Sequence, residues 1–412
     1  MDNPLLAPTL QDLRRHQGLK WRLYGDDVLP LWVAEMDVFP PEPVVRAVTD
    51  AMTRGDTGYP WARDYAEAVA GFAERHWGWA PDPGRARMVP NVMLGISEVL
   101  RLVTAPGDAV VVNCPVYPPF YAFVRNLGRR VVEAPLTPEG RLDLQALALA
   151  FGEATRGGGR AAYLMANPHN PTGTVHTAEE LTAAGELAAD HGVRVVVDEI
   201  HAPLVYDPNR FTPYLSLGVG AQAFALFSAS KGFNLAGLTS AVALAGEEAE
   251  RDLARMPHEV AYGASHIGAI AQTAALRDGD EWLQALLGGL DSNRLLLRDL
   301  LARHLPDVAY RVPEGTYLAW LDCRRLGLGD DPAAVFRERG RVALSPGPDF
   351  GGGGQGHARL NFATSPGIVT QAVEKMAAAS RAHGPGAPAA GSGAARPGTP
   401  QVPADPGSRG RP

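Results

Sequence analysis

The chain has 412 residues, of which 46% are hydrophobic and 20% are charged, as is typical of a globular protein. This length exceeds what one hydrophobic core usually organises, so we expect one large and one smaller domain. The net charge of −7 and the isoelectric point near 5.9 argue against a partner such as nucleic acid or an anionic membrane surface.

The cysteines, the histidines and the N-terminal sequence argue against a secreted protein, a membrane protein and a metal-binding protein. Cys114 and Cys323 are too few for a disulfide framework or a thiolate metal cluster. The first residues lack the basic-then-apolar order of a signal peptide, and no uncharged apolar run approaches the ~20 residues of a membrane span. The 11 histidines lack paired ligand spacing, so no metal site is expected. The sequence therefore predicts a cytoplasmic protein.

Short β-branched runs alternate with longer helical patterns through the middle of the chain. The candidates for buried strands are 109–113, 161–166, 193–197 and 223–228. Between them lie segments such as 178–191, whose apolar residues recur at helical spacing. This alternation predicts an α/β fold with a mostly parallel central sheet covered on both faces. In such a fold, ligands bind beyond the carboxyl ends of the strands.

The pattern changes after about residue 275. A long helical segment over 281–305 precedes strand candidates at 316–323 and 359–363, which indicates a smaller α+β domain. The predicted organisation is an N-terminal segment joining the small domain (1–44), a large domain (45–275), the small domain (276–383) and a tail (384–412). The tail is rich in Pro, Gly and Ala, has little to bury, and is predicted to be disordered.

Lys231 follows one of the predicted buried strands, within the sequence SASKGFNLAGL. An ammonium group is costly to bury, and a desolvated lysine with a lowered pKa can form an imine with an aldehyde. An exposed loop lysine is the competing interpretation, because most lysines are exposed. Ser228 and Ser230 favour a functional lysine, since their hydroxyl groups could bind a phosphate.

Two more polar segments follow predicted strands. Asp198 ends the strand in VRVVVDEIH, where a carboxylate could cap a helix, bind a metal or pair with a cationic ring nitrogen. Asn167 and Asn170 lie in NPHNPTG, whose two prolines and glycine could form a purely structural turn. The neighbouring polar residues favour the other interpretation, in which the asparagine amides donate to a ligand.

In this order and spacing, NPHNPTG, DEIH and SASKGFNLAGL closely resemble the fold-type I enzymes that depend on pyridoxal 5′-phosphate (PLP). Within that superfamily, five further segments resemble the MalY/PatB branch of cystathionine β-lyases: LWVAEMDVFPP, GDTGYP, NCPVYPPFY, PEGTYLAWLDCR and PGPDFGGGGQGHARLNFA. The resemblance covers residues 21–378. It implies a PLP cofactor, an amino-acid substrate and a large domain paired with a smaller one.

The resemblance also implies a role for individual residues. Lys231 would hold PLP as a Schiff base and then transfer the substrate's α-proton, and Asp198 would pair with the pyridinium nitrogen. The other implied contacts are Asn170 and His201 near the ring 3-oxygen, Tyr117 stacked on the ring, Ser228, Ser230 and the amides of Met93 and Leu94 at the phosphate, and Arg359 on the substrate α-carboxylate. Tyr59 would reach the phosphate of the neighbouring subunit, which implies a homodimer with shared active sites.

Two positions depart from the patterns of relatives. Thr239 lies eight residues after Lys231, where many aminotransferases carry an arginine, and the lyase branch shares this departure. Glu35 replaces the aspartate of the usual WVADMDF segment, which lies near the substrate in the family.

The implied reaction is β-elimination from L-cystathionine or another L-cysteine S-conjugate, which yields a thiol, pyruvate and ammonia. An aminotransferase, a lyase acting on a specialised S-conjugate in secondary metabolism, and a non-catalytic PLP-binding regulator are the alternatives. All the catalytic positions are filled, which disfavours the regulator. The glycine run at 351–356 lacks the strand–turn–helix context of a nucleotide loop and is predicted to be a flexible loop before Arg359.

Overall fold

The computed structural model of the protein describes residues 1–382, so the predicted tail over 384–412 lies outside the described residues. The strands are β1 (Leu29–Pro30), β2 (Ala86–Val89), β3 (Ala109–Cys114), β4 (Arg130–Pro135), β5 (Ala161–Ala166), β6 (Val193–Asp198), β7 (Phe224–Phe227), β8 (Ala241–Ala245), β9 (Ala309–Tyr310), β10 (Leu318–Asp322), β11 (Val342–Ala343), β12 (Ser345–Pro346) and β13 (His357–Asn361). The α-helices are α1 (Leu10–Arg14), α2 (Leu19–Arg22), α3 (Glu42–Arg54), α4 (Ala62–Trp77), α5 (Val92–Val103), α6 (Pro118–Asn126), α7 (Leu144–Ala154), α8 (Ala178–Asp190), α9 (Glu250–Leu253), α10 (His266–Asp278), α11 (Asp280–His304), α12 (Pro332–Gly340) and α13 (Pro366–Arg381). Within residues 1–382, no helix combines the length and the apolar character that membrane crossing requires.

A seven-stranded sheet in the order β2-β8-β7-β6-β5-β3-β4 forms the centre of the large domain. Five adjacent strands, β7, β6, β5, β3 and β4, run parallel to one another. Strand β8 runs antiparallel to both of its neighbours, β2 and β7. The predicted α/β fold with a mostly parallel central sheet is therefore confirmed.

The central strands are buried on both faces, as their continuous apolar sequences predict. Val110 and Val112 of β3 pack into the core formed with α5 and α6, whereas Val111 packs into the opposite core with α7 and α8. All three valines are completely buried. Because successive side chains of a strand point to opposite faces, this burial fixes both helical layers relative to the sheet.

A second, antiparallel sheet in the order β12-β13-β10-β9 belongs to the C-terminal part of the chain, where α13 packs against α11 and α12. Strand β1 pairs in parallel with β11, so that Leu29 lies opposite Val342. The N-terminal segment is thus hydrogen-bonded to the C-terminal part. The domain boundaries given above stay a prediction.

A buried ion pair holds residues 33–37 in place. Lys20 Nζ lies 2.9 Å from Asp37 Oδ1, and both side chains are almost completely buried. Trp21 Nε1 donates to the same carboxylate oxygen, and Lys20 Nζ also donates to the carbonyl of Glu35. Asn361 of β13 donates to the carbonyls of Val33 and Glu35. The segment is therefore fixed from both the N-terminal and the C-terminal parts of the chain.

Replacing Lys20 by methionine should lower the free energy of unfolding by about 3–5 kcal/mol, because Asp37 would stay buried without its counter-ion. Urea denaturation measures the change. The exposed pair between Arg63 and Glu67 provides a control, and Arg63→Met should cost less than about 1 kcal/mol. Equal losses in the two variants would contradict a structural role for the buried pair.

Candidate active site

A cavity of roughly 360 Å³ lies at the carboxyl ends of the parallel strands. Its walls come from the segments that follow β3, β5, β6 and β7 and from the first turn of α5. The sequence-predicted residues that line it are Met93, Tyr117, Asn170, Asp198, His201, Ser230 and Lys231. The location is the one expected for a ligand site in an open α/β sheet.

Lys231 lies four residues beyond the end of β7, and its Nζ donates a 2.7 Å hydrogen bond to the carbonyl of Ala34. Burial lowers the pKa of Lys231 to about 8, and the positive charge of Arg359 acts in the same direction, while Glu35 and Asp198 oppose the shift. A much larger fraction of neutral amine is therefore present near neutral pH than for an ordinary lysine. Only a neutral amine can attack a carbonyl or accept a proton.

Asp198 is the last residue of β6, and its Oδ1 accepts a 3.0 Å hydrogen bond from the backbone N–H of Ile200. Burial raises the pKa of Asp198 to about 7, although that hydrogen bond and the charge of Lys231 both lower it. A cationic group against the carboxylate would stabilise its ionised form. The site is thus suited to a protonated ring nitrogen.

Arg359 is buried beside the cavity with its guanidinium fixed in place. Nη1 donates to Asn170 Oδ1 at 3.0 Å, and Nη2 donates to the carbonyl of Trp32 at 3.0 Å and to Ser345 Oγ at 3.1 Å. Burial lowers the pKa of Arg359 only to about 10, so the group stays cationic at neutral pH. Since the Asn170 oxygen accepts from Arg359, the Asn170 amide NH₂ is the group that can donate to a ligand.

Trp32 and Ser345 were not identified from the sequence as anchors of Arg359. Trp32 lies 327 positions from Arg359, and Ser345 belongs to β12, which pairs with β13 beside the arginine. Trp32 belongs to the quoted segment LWVAEMDVFPP, but no local pattern indicates that its carbonyl meets a guanidinium.

His201 and Tyr117 contribute rings to the cavity wall. Burial and the charges of Lys231 and Arg359 lower the pKa of His201 to about 3, so its imidazole is neutral. Its buried Nδ1 has no hydrogen-bond partner within residues 1–382. Tyr117 directly precedes α6 and is only partly buried, which leaves it accessible from the cavity.

The first turn of α5 lines the cavity together with Ser230 and Thr239, two residues that carry hydroxyl groups. Asn91 caps this helix, because its Oδ1 accepts a 2.9 Å hydrogen bond from the Leu94 N–H. Gly95 lets the helix lie close to the sheet, since a Cβ there would be 2.8 Å from a Val89 methyl carbon. Amides at a helix N-terminus together with hydroxyl groups favour an anion such as a phosphate.

Four of the predicted residues do not line the cavity of the single chain: Arg359, which lies beside it, and Ser228, Leu94 and Tyr59. The hydroxyl group of Ser228 points into the protein, 2.8 Å from the Ser240 carbonyl and 2.9 Å from Gln272 Oε1. The Leu94 N–H is bonded to Asn91, and the Leu94 side chain is exposed. Tyr59 is 80% exposed on the surface. In the single chain, Ser228 stabilises the loop that carries Lys231, because it also accepts from the Ser230 N–H.

The glycine run over 351–356 is a loop, as predicted, but it is bonded to the large sheet. The Gly352 N–H donates to Glu133 Oε1 at 3.1 Å, and Glu133 also accepts from the Tyr121 hydroxyl group. Glycine is required at position 354, because a Cβ there would lie 2.0 Å from the Gly347 carbonyl oxygen. The loop therefore fixes the approach to β13, which carries Arg359.

The polar groups of the cavity fit PLP. Asp198 suits the ring nitrogen, Lys231 the aldehyde, and Ser230, Thr239 and the α5 terminus the phosphate. The unpartnered Nδ1 of His201 lies in the same wall and is available to a polar atom of the ring. The residue roles stay predictions, and seven of the predicted residues lie around one cavity.

Comparison with known proteins identifies the family. The model of the family described as aminotransferase class I and II matches residues 26–376. The chain belongs to this family.

Individual relatives point to the cystathionine β-lyase branch. A Mycobacterium leprae protein that carries the provisional name cystathionine beta-lyase is 54% identical over 391 residues, which is 91% of this chain and 97% of that protein. A cystathionine beta-lyase of Corynebacterium glutamicum is 34% identical over 381 residues, which is 90% of this chain and 98% of that protein.

A solved structure leads to the same branch of the family as these relatives. A Corynebacterium diphtheriae protein provisionally described as a PLP-dependent beta-cystathionase superposes with a TM-score of 0.84 at 33% identity and covers 91% of this chain and 98% of its own. The predicted fold-type I, PLP-dependent and cystathionine β-lyase-like character of this family member is confirmed.

Replacing Asp198 by asparagine should stabilise the cofactor-free protein and weaken PLP binding. Because the pKa of Asp198 is higher in the folded than in the unfolded chain, the wild type loses stability as pH rises from about 4 to about 7, and the variant avoids this loss. We expect a gain of about 2 kcal/mol or more at about pH 8, measured by urea denaturation. PLP affinity should fall roughly tenfold or more, since a charged hydrogen bond contributes about 1.5–3 kcal/mol.

Glu199→Gln is the matched control. Burial raises the pKa of Glu199 to about 8, but this side chain accepts from the Tyr214 N–H and does not line the cavity. The control should gain stability over a similar pH range and bind PLP normally. Unchanged PLP affinity in Asp198→Asn would contradict the assignment of Asp198 to the ring nitrogen.

Proposed function

We propose that the protein is a PLP-dependent C–S lyase that eliminates the β-thiol from an L-cysteine S-conjugate, with L-cystathionine as the representative substrate. The observation that carries the proposal is that an amine with a lowered pKa, on Lys231, and a buried carboxylate, on Asp198, line one cavity. The guanidinium of Arg359 lies beside that cavity and is bonded to Asn170 in its wall. The names carried by the Mycobacterium leprae and Corynebacterium glutamicum relatives support the same reaction.

PLP, when bound, withdraws electrons from the α-carbon of an amino acid. Asp198 would keep the ring nitrogen of PLP protonated, and Tyr117 would cover the face of the ring. The Asn170 NH₂ group would donate a hydrogen bond to the ring oxygen, and His201 would lie near the same oxygen. Ser230, Thr239 and the Met93 amide would bind its phosphate. The contribution of these residues is orientation and exclusion of water.

Substrate binding and proton transfer then follow from the positions of two side chains. Arg359 binds the α-carboxylate through its guanidinium, whose orientation is already fixed by Asn170, Trp32 and Ser345. The neutral amine of Lys231 accepts the proton from the α-carbon. The electrons of that C–H bond form the Cα–Cβ double bond, and the thiolate leaves with the electrons of the C–S bond. Addition of water to the remaining three-carbon unit gives pyruvate and ammonia.

Transamination is the second candidate, because the family is described by that reaction. A Mycobacterium tuberculosis relative with the provisional name N-succinyldiaminopimelate aminotransferase is 31% identical over 327 residues. Thr239 supports elimination, since it stands where many aminotransferases carry an arginine and lies in the cavity wall.

The two reactions differ in their need for a keto acid. With a cysteine S-conjugate and no added keto acid, the PLP-loaded protein should release pyruvate and thiol over many turnovers, because elimination returns the enzyme to its starting form. Pyruvate is followed with a coupled dehydrogenase and thiol with a chromogenic disulfide. Lys231→Ala is the inactive control. Product that stops at about one equivalent per site and resumes on addition of 2-oxoglutarate would favour transamination.

We infer a homodimer in which Tyr59 completes the active site of the partner. Tyr59 is 80% exposed in the single chain, and its ring lies 5.3 Å from that of Tyr262, which is 54% exposed. Trp61, two residues away, is 66% exposed. Large exposed aromatic side chains in one region are typical of a protein interface.

Mixed dimers test the shared site. Tyr59→Phe and Lys231→Ala each impair every site of their own homodimer, whereas a hybrid contains one site in which both residues are intact. Random mixing should restore about one quarter of the wild-type activity, since half of the dimers are hybrids. Differently tagged subunits allow hybrids to be purified and counted. Hybrids without restored activity would indicate that Tyr59 acts within its own chain.

A cytoplasmic location also stays a proposal. Cys114 and Cys323 are both free thiols and both buried. Free cysteines are usual in reducing compartments.

A further inference from the structure

We propose that His169 is a positioning residue that sets the relative placement of Asn170 and Tyr117. Asn170 is assigned to the 3-oxygen of the PLP ring, and Tyr117 is assigned to the face of that ring. Its Nε2 lies 2.9 Å from the carbonyl oxygen of Pro115, two residues before Tyr117 in the chain. The imidazole therefore bridges the loop after β5 and the turn after β3. This inference rests on the proposed function for the identity of the bound group.

The bond has a defined direction. A carbonyl oxygen can only accept, so Nε2 of His169 must carry the proton. The side chain is completely buried, and burial lowers the pKa of His169 to about 4. The ring is thus neutral at physiological pH, and its single proton lies on Nε2.

Both ends of the bridge are held by other contacts. The His169 N–H donates to the Thr174 carbonyl at 2.7 Å, and the His169 carbonyl accepts from the Gly173 N–H at 2.8 Å. Asn170, the next residue, is bonded to Arg359. Two backbone hydrogen bonds and the bond from the imidazole therefore all hold the same residue, so that a shift of the ring would also shift the backbone next to Asn170.

At the other end, the Val116 N–H donates to the Phe350 carbonyl at 2.9 Å, and the next residue, Tyr117, directly precedes α6. The Pro115 carbonyl is thus part of the rigid turn that aims the tyrosine. Loss of the bridge would let the two walls of the cavity move relative to each other, and displacements of about 1 Å at an active site can cost on the order of 100-fold in rate.

His176 offers a matched comparison within the same core. It is also completely buried, and its ring centroid lies 6.0 Å from that of His169. Neither of its ring nitrogens has a hydrogen-bond partner in the part of the chain that the structure describes. The two histidines therefore share burial but differ in the bond to a cavity wall.

The experiment compares three variants as PLP-loaded proteins. His169→Gln and His169→Met have side chains of similar length, but only glutamine can donate to the Pro115 carbonyl. His176→Met controls for loss of a buried imidazole. We expect His169→Met to lower kcat at least about tenfold with a small change in KM, to weaken PLP binding and to reduce the visible circular dichroism per bound cofactor. His169→Gln should recover most of each quantity, and His176→Met should leave them near wild type.

Normal dichroism and PLP affinity in His169→Met, or equal losses in His176→Met, would overturn the proposal. A second measurement needs no variant: ¹⁵N chemical shifts of histidine-labelled wild-type protein should report the Nε2–H tautomer for His169, and the Nδ1–H tautomer would also overturn it. Dichroism, affinity and tautomer do not depend on which reaction is catalysed. Wild-type protein that binds PLP but releases no pyruvate would therefore refute the lyase function alone.

Discussion

Burial of the parallel strands on both faces is the constraint on which the active site depends. Strands covered by helices on each side can place polar groups only where they end, and all five parallel strands end at the same edge. Asp198 is the last residue of β6, and Asn170 and Lys231 each lie four residues beyond the ends of β5 and β7. Residues separated by up to 61 positions thus meet at one cavity because of backbone direction rather than local sequence.

The charges of this cavity act against protein stability in the absence of a ligand. Burial raises the pKa of Asp198 and lowers that of Lys231, so each group is pushed towards its neutral form. Arg359 keeps its charge at neutral pH, because burial lowers its pKa only to about 10, and its two terminal nitrogens are bonded to amide, carbonyl and hydroxyl oxygens. The same groups suit a ligand that brings a cationic nitrogen to the aspartate and a carboxylate to the arginine. Retaining them is the trade-off between stability and function that is common at active sites.

Contacts between distant parts of the chain complete the site. The carbonyl of Ala34 accepts from both Lys231 Nζ and the hydroxyl group of Tyr317. The segment that carries Ala34 is held in turn by the buried pair of Lys20 and Asp37. The position of the lysine amine therefore depends on the N-terminal segment, on the large domain and on the C-terminal sheet together.

The sequence by itself determined the α/β class and the central strands to within a few residues, because apolar periodicity is a local property. It also identified Lys231, Asp198 and Asn170 as cavity residues, because each lies at or just after a predicted strand in a motif that the family shares. Tertiary structure decided the orientations. The Ser228 hydroxyl group turned inward because Gln272, 44 positions away, lies beside it. The anchors of Arg359 and the bridge from His169 to Pro115 likewise join segments far apart in the chain. No local pattern encodes such contacts, since they form only when the packed strands and helices bring those segments within hydrogen-bond distance.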